Sequence, residues 1–267
     1  MAFDRMASSI SYNDIMVSLR RRFDEINDVL PVFDDVRSKR LVDGARSCAI
    51  VGCGSGEMEL AFVEHCMPAI ETLCAVEPDA DSVVDLRARI ARQLPPNVRS
   101  AVVADAAQIW AADTDRVFDV VVMFHVVSDI PEPDRRALFD RLFDAVIRPD
   151  GLLVIVTRTG RRDGTQSTES RIMEALNRRP YVDSKWYEEA RRLAESVGFT
   201  ACYERRYGLN VNVENLDAAY FGFYARECDQ PTSLETVERI VREVIGDAKW
   251  SRKEFVFGVF RKPAAHS

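Results

Sequence analysis

An apolar run closed by three alternating glycines, Cys48-Ala49-Ile50-Val51-Gly52-Cys53-Gly54-Ser55-Gly56, constrains this chain more than any other stretch. An acidic, helix-forming segment, Glu57-Met58-Glu59-Leu60-Ala61-Phe62-Val63, follows at once. A buried strand, a tight turn and a helix start are the physical meaning of that order. One glycine is enough for a turn; three provide backbone that tolerates positive φ and lets a ligand lie close. The spacing G-x-G-x-G lacks the extra residue of the dinucleotide pattern, so an oxidoreductase of that kind is a minor alternative. No Lys-Ser/Thr follows, as a phosphate-cradling loop would require. Glu57 and Glu59 in the first helical turn would repel a pyrophosphate. A ligand with a cationic or neutral centre is expected.

The rest of the chain reads as strand and helix in alternation. Ser47–Gly52, Thr72–Glu77, Val98–Ala104, Asp119–Phe124 and Leu152–Thr157 are predicted strands, with helices over Glu57–Cys66, Ala80–Gln93, Ala106–Ala111 and Pro133–Ala145 between them. The strands are rich in Val, Ile and Leu on both faces, the mark of a parallel sheet covered on both sides. This order predicts a doubly wound, Rossmann-like α/β fold, whose ligand lies beyond the carboxyl ends of the strands. Later helices are expected over 167–178, 184–197, 214–227 and 234–245. The strands Phe199–Tyr207 and Glu254–Arg261 would complete a seven-stranded, mostly parallel sheet. Four regions are therefore expected: a helical arm (1–44), the core (45–208), a helical insertion (209–250), and a last strand and tail (251–267). In the arm, Ile15, Leu19, Phe23, Ile26 and Leu30 share one face, and Pro31 is expected to break or restart the helix. The arm is either a packing helix or a cover over the ligand cleft, with Phe3, Tyr12 and Glu25 as candidate contacts.

Charge and apolar runs narrow the function classes. A net charge of −7 over 267 residues argues against a nucleic-acid partner. The longest nearly apolar run, 117–127, contains Asp119 and His125 and falls far short of the roughly 20 residues that span a bilayer. No membrane association and no amino-terminal signal core are expected. The six cysteines form no C-x-x-C pair and read as free thiols of a cytoplasmic protein, with no metal site. A monomer or weak homo-oligomer acting on a small molecule is expected.

Three strand ends carry candidate chemistry. Glu77, 21 residues after Gly56, stands where an acid accepts hydrogen bonds from both ribose hydroxyls of an adenosine; Asp79 beside it is the better helix cap. Asp105 either accepts from an adenine amino group, with the Ala106 amide beside the ring, or caps the next helix. Trp110 flanks the adenine or packs in the core. His125, following Phe124, sits where the fourth strand meets the cleft, and is either a satisfied core histidine or a functional one.

Together these pieces resemble class I S-adenosylmethionine-dependent methyltransferases. The matching segments are Val51–Gly56, Ala75-Val76-Glu77-Pro78, Ala104-Asp105-Ala106, Phe118–Met123 and Pro149-Asp150-Gly151-Leu152-Leu153. The resemblance implies S-adenosyl-L-methionine as cofactor, held by Gly52, Cys53, Gly54, Gly56, Glu77, Pro78, Asp105, Ala106 and Phe124. One departure is Ile50, where many members carry an Asp. Within that superfamily the run Gly54-Ser55-Gly56-Glu57-Met58-Glu59-Leu60, the phrase Ser128-Asp129-Ile130-Pro131 and the arm with Tyr12 are similar to histamine N-methyltransferases. That likeness implies methylation of a nitrogen on a small aromatic amine or amino-acid derivative. Tyr12, Glu25, His125 and Asp129 would bind the acceptor, with His125 and Glu25 as the catalytic pair. His125 replaces an amide side chain of that family, and Val126 and Val127 replace its aromatic residues. Small-molecule O-methylation and cofactor binding without transfer are the alternatives.

Overall fold

The computed structural model describes residues 10, 12–161, 165–180 and 185–264. The chain forms two compact units. One comprises residues 29–158, 185–207 and 255–267, the other residues 1–28, 159–184 and 208–254.

The core unit is built on the sheet. Its first five strands are β1 (Ser47–Val51), β2 (Thr72–Val76), β3 (Arg99–Val103), β4 (Phe118–Phe124) and β5 (Ile147–Arg158). They are followed by β6 (Thr200–Asn212) and β7 (Trp250–Arg261), and the order across the sheet is β3-β2-β1-β4-β5-β7-β6. Pairs β1–β2, β1–β4, β2–β3 and β4–β5 are parallel, while β5–β7 is antiparallel. Strand order reverses between β1 and β4, so the carboxyl ends of these two strands flank the switch point. At their other ends Asp119 ties them together. Its carboxylate accepts the Ser47 N–H at 2.9 Å and pairs with Arg148 Nε at 2.9 Å, while its own N–H donates to Ser47 Oγ at 2.9 Å.

Helices between the strands are α3 (Glu57–Cys66), α4 (Ala80–Gln93), α5 (Ala107–Asp113), α6 (Glu132–Arg141) and α8 (Trp186–Val197). Where one continuous helix over Pro133–Ala145 was expected, α6 gives way to a single π turn, Leu142–Val146. The arm carries α1 (Tyr12–Arg20) and α2 (Glu25–Ser38). Pro31 does not break this arm; it lies inside α2. The break falls at 21–24, where Asp24 Oδ1 accepts the Asn27 N–H at 3.2 Å. An interior proline costs about 3 kcal/mol. Val29, Val32, Phe33 and Val36 are at most 1% exposed, and burial at about 1.5–3 kcal/mol each outweighs that loss. Phe33, Phe62, Phe124 and Phe257 then form one aromatic cluster, with ring centroids 5.4–6.0 Å apart for the Phe33–Phe62, Phe33–Phe257 and Phe62–Phe257 pairs.

The second unit contains α1, α7 (Thr168–Asn177), α9 (Ala218–Arg226) and α10 (Leu234–Ile245). Ile15, Ile172, Val211, Tyr220, Phe221, Tyr224, Val237 and Val241 are its core. Polar side chains join its segments. Asp217 caps α9 through the Tyr220 N–H at 2.9 Å, accepts Ser18 Oγ at 2.7 Å and pairs with Arg22 at 3.2 Å. Lys253 Nζ and Glu169 form an ion pair at 2.9 Å, with side chains only 15% and 10% exposed.

Candidate active site

The turn after β1 is made of backbone. Gly52, Gly54 and Gly56 adopt φ of +64°, +53° and +73°. The Gly52 N–H donates to the Val76 carbonyl at 2.8 Å, carrying the β1–β2 ladder one residue past the strand. A Cβ on Gly52 would stand 2.1 Å from Val126 Cγ2, and one on Gly56 2.5 Å from Leu86 Cδ1. Arg89 on α4 donates Nε to the Ser55 carbonyl at 3.1 Å, holding the loop from outside. Val126, Leu86 and Arg89 carry no local sequence signal for this work, because each reaches the loop from a distant segment.

Glu77, just past β2, is 5% exposed and anchored on that loop. Its Oε2 accepts the Gly54 N–H at 2.7 Å and its Oε1 the Asp79 N–H at 3.0 Å. Asp79 is the cap of α4, accepting from the Ser82 N–H at 2.8 Å, as expected of it. A carboxylate offers about four acceptor directions, more than two amides take up. Bare positive-φ backbone, an oriented carboxylate and two acids in the first turn of α3 therefore fit a sulfonium nucleoside: a diol for Glu77 and a cation near negative charge.

The remaining cofactor candidates divide by side chain. Cys53 is 1% exposed and its Sγ donates to the Val76 carbonyl at 3.8 Å. Burial pushes this thiol well above its usual range, with Glu59 and Glu77 adding to the effect. Phe124 is 2% exposed, its ring edge-on to Phe62 at 5.8 Å. Cys53 and Phe124 thus present main chain, not side chain, to the strand ends. Pro78 is exposed after Glu77. Asp105 Oδ1 accepts the Ala106 N–H at 2.8 Å, while Ala106 is the cap position of α5 without a side-chain bond. Trp110 packs in the core, 6.0 Å from the Phe118 ring.

His125 leaves β4 with φ +60°, a left-handed conformation uncommon outside glycine. Its N–H donates to the Val156 carbonyl at 2.7 Å. Its ring meets Phe255 at 5.0 Å and 80°, and Tyr207 stacks on Phe255 at 5.6 Å. Asp129 lies in the 3-10 turn Val127–Asp129 that follows. Desolvation raises its carboxyl above the usual range, against the Ser128 hydroxyl and the nearby His125 and Arg158 side chains, which pull it down. Val126 and Val127, aliphatic where the resembled family is aromatic, are buried, with Val126 filling the space beneath Gly52.

Glu25 and Tyr12 belong to the other unit. Glu25 opens α2, where an acid complements the helix dipole, and its charge together with that of Asp24 helps burial raise the Asp28 carboxyl. Tyr12 opens α1; its side chain and all of Phe3 lie outside the described residues. Among the described residues no group of His, Cys, Asp or Glu is placed to hold a metal ion. No helix among them is long and apolar enough to cross a membrane.

Residues 49–151 match the family model described as "Methyltransferase domain". The match runs from β1 to the start of the apolar half of β5 and includes the glycine loop, Glu77, Asp105, His125 and Asp129. Comparison with curated proteins finds no match. Among solved structures, a putative methyltransferase from Bacillus halodurans C-125 is similar at 16% identity and a TM-score of 0.60, covering 87% of this chain and 99% of its own. The YcgJ protein of Bacillus subtilis gives 11% identity and 0.60, covering 88% and 100%. The N-methyltransferase NodS of Bradyrhizobium japonicum WM9 gives 13% and 0.50, covering 87% and 93%. At such identities the likeness carries the fold alone. The matched domain and its glycine loop support an S-adenosylmethionine-dependent methyltransferase, with S-adenosylmethionine as the methyl donor.

Proposed function

We propose that the enzyme methylates a nitrogen of a small aromatic amine or amino-acid derivative. The observation that carries this reading is His125, held at positive φ on the tip of β4 with Asp129 within electrostatic reach. That position is the carboxyl end of a strand at the switch point, where such sheets receive ligands. The similarity of Gly54–Leu60, Ser128–Pro131 and the arm to histamine N-methyltransferases supports an amine over other acceptors.

When bound, the cofactor supplies a methyl group already activated on a sulfonium. Glu77 would fix its sugar, Gly52 and Gly54 would meet it with bare main chain, and Asp105 and the Ala106 amide would meet its base. The protein's remaining work is alignment of a lone pair with the S–CH3 bond at about 3–3.5 Å and exclusion of water. A nitrogen nucleophile must arrive neutral. His125 orients the reacting atom or takes its proton, and Glu25 and Tyr12 remain acceptor contacts implied by the resemblance alone. Hydroxyl methylation is the second reading: a hydroxyl must lose its proton before it attacks, and His125 at the strand tip is a group that could take it. Six free cysteines, four of them buried, support a reducing cytoplasm as the working compartment.

Labelled cofactor with matched panels of aromatic amines and of their hydroxyl analogues tests the choice. Label is expected on the amines, with turnover falling by at least about 100-fold in His125→Ala, in line with a lost acid–base group. An unchanged rate and acceptor affinity in that variant ends the proposed role of His125. Label on the hydroxyl series alone selects the second reading.

A further inference from the structure

We propose that Phe255 is a positioning residue that sets the orientation of the His125 imidazole, with Tyr207 as the support behind it. The inference rests on the functional reading of His125 above. A residue within β4 would have its side-chain direction fixed by the pleat. His125 has left the strand at φ +60°, so the pleat no longer aims its ring. Rotation about the last bond of a histidine side chain is also soft and broadly two-fold. Something else must hold the ring plane.

β5 and β7 supply that hold from two directions. The His125 main chain is bonded to Val156 of β5 at 2.7 Å, and Val156 pairs with Phe257 of β7. Two residues back along β7, on the same face of the sheet as Phe257, Phe255 pairs with Arg158 and is 5% exposed. Its ring stands perpendicular to the imidazole, at 5.0 Å and 80°. That edge-to-face arrangement is a preferred one for aromatic pairs. Tyr207 of β6 lies nearly parallel to Phe255, at 5.6 Å and 24°, and resists rotation of the phenyl ring. An aromatic neighbour restrains the imidazole plane without engaging either ring nitrogen as donor or acceptor. It leaves the proton chemistry of His125 to the acceptor and to Asp129.

The test is made on the whole chain by imidazole NMR, cofactor titration and turnover. The chain has three histidines, His65, His125 and His266, so few imidazole signals are expected. The His125 set, identified by its loss in His125→Asn, is expected to be displaced by the ring current of Phe255. In Phe255→Leu it returns toward the ordinary position, and kcat falls roughly tenfold, within what a small misplacement of a reacting group costs. Affinity for demethylated cofactor stays within twofold. Phe255→Tyr restores both the signal and the rate. An unmoved His125 signal in Phe255→Leu overturns the proposal, and so does a moved signal with unchanged kcat. A fall in cofactor affinity that parallels the fall in kcat also overturns it, since that is a general packing loss. Where Phe255→Leu does not fold, Tyr207→Leu replaces it, with a smaller displacement and about a threefold fall in kcat expected; no change in either overturns the proposal. A wild type that labels no acceptor refutes the functional reading alone, because the NMR signal still decides what Phe255 does.

Discussion

The two compact units achieve order by different means. In the core unit the critical geometry is main chain: three positive-φ glycines, a carboxylate fixed by two amides, and side chains such as Val126 and Leu86 filling the space under them. In the unit of residues 1–28, 159–184 and 208–254, segments far apart in sequence meet through polar side chains: Ser18 and Arg22 with Asp217, and Lys253 with Glu169. Backbone geometry admits no small errors, whereas side-chain contacts can be lost one at a time. The first unit should therefore fail all at once, and the second by increments that leave cofactor affinity intact.

Gly52→Ala is the strongest challenge to that contrast. The new methyl would stand 2.1 Å from Val126 and force a residue with a Cβ to hold φ +64°. Cofactor affinity is expected to fall by more than about 100-fold, or roughly 2.7 kcal/mol, in isothermal titration. Binding within tenfold of the parent would mean the loop yields, and the contrast would be broken. Lys253→Met comes next. It removes the Lys253 side of a buried ion pair with Glu169, at a cost of about 3 kcal/mol in thermal or urea unfolding, with cofactor affinity unchanged. Replacing both partners by apolar residues should recover most of that loss.

Asp217→Ala sharpens the incremental side at smaller scale. Loss of the α9 cap should cost about 1 kcal/mol. Burial alone would raise this carboxyl, yet the Ser18 hydroxyl, the Tyr220 amide and Arg22 outweigh it and the net shift is downward. A lowered carboxylate stabilises above its unfolded value and loses that contribution as pH falls through the lowered one. The gap between Asp217→Ala and parent should thus close in acid. Asp129→Asn should show the smallest effect and the opposite pH trend. Desolvation raises this carboxyl, so its ionisation weakens the fold as pH rises past the ordinary carboxylate range. The variant should melt slightly higher than the parent at pH 7, and about level with it near pH 3. A variant that melts lower at pH 7 would show Asp129 to be a structural group.

Local patterns were legible in the sequence, and long-range ones were not. The glycine turn, the β–α alternation and the Asp79 cap are written within a few residues each. The helix expected at Leu234–Ile245 has those bounds because Ser233 caps it and Gly246, at φ +58°, ends it. Pro31 misled because its local cost is set against burial of Val29, Val32, Phe33 and Val36, which only the folded core reveals. Val126 reads as a lost aromatic position until Gly52 is seen above it. Phe255 and Tyr207 read as ordinary strand residues until β6 and β7 bring them to His125.

The contact between Val126 and Gly52 ties two properties that protein engineers would like to change separately. With the acceptor proposed to meet the end of β4, residues there are natural targets for redirecting the enzyme. Any library that enlarges position 126 also presses on Gly52, so altered selectivity gained there would arrive with a strained glycine loop and, in the proposed reading, a weakened grip on the donor. Variation introduced from the β7 side, at the rings beside His125, carries no such linkage.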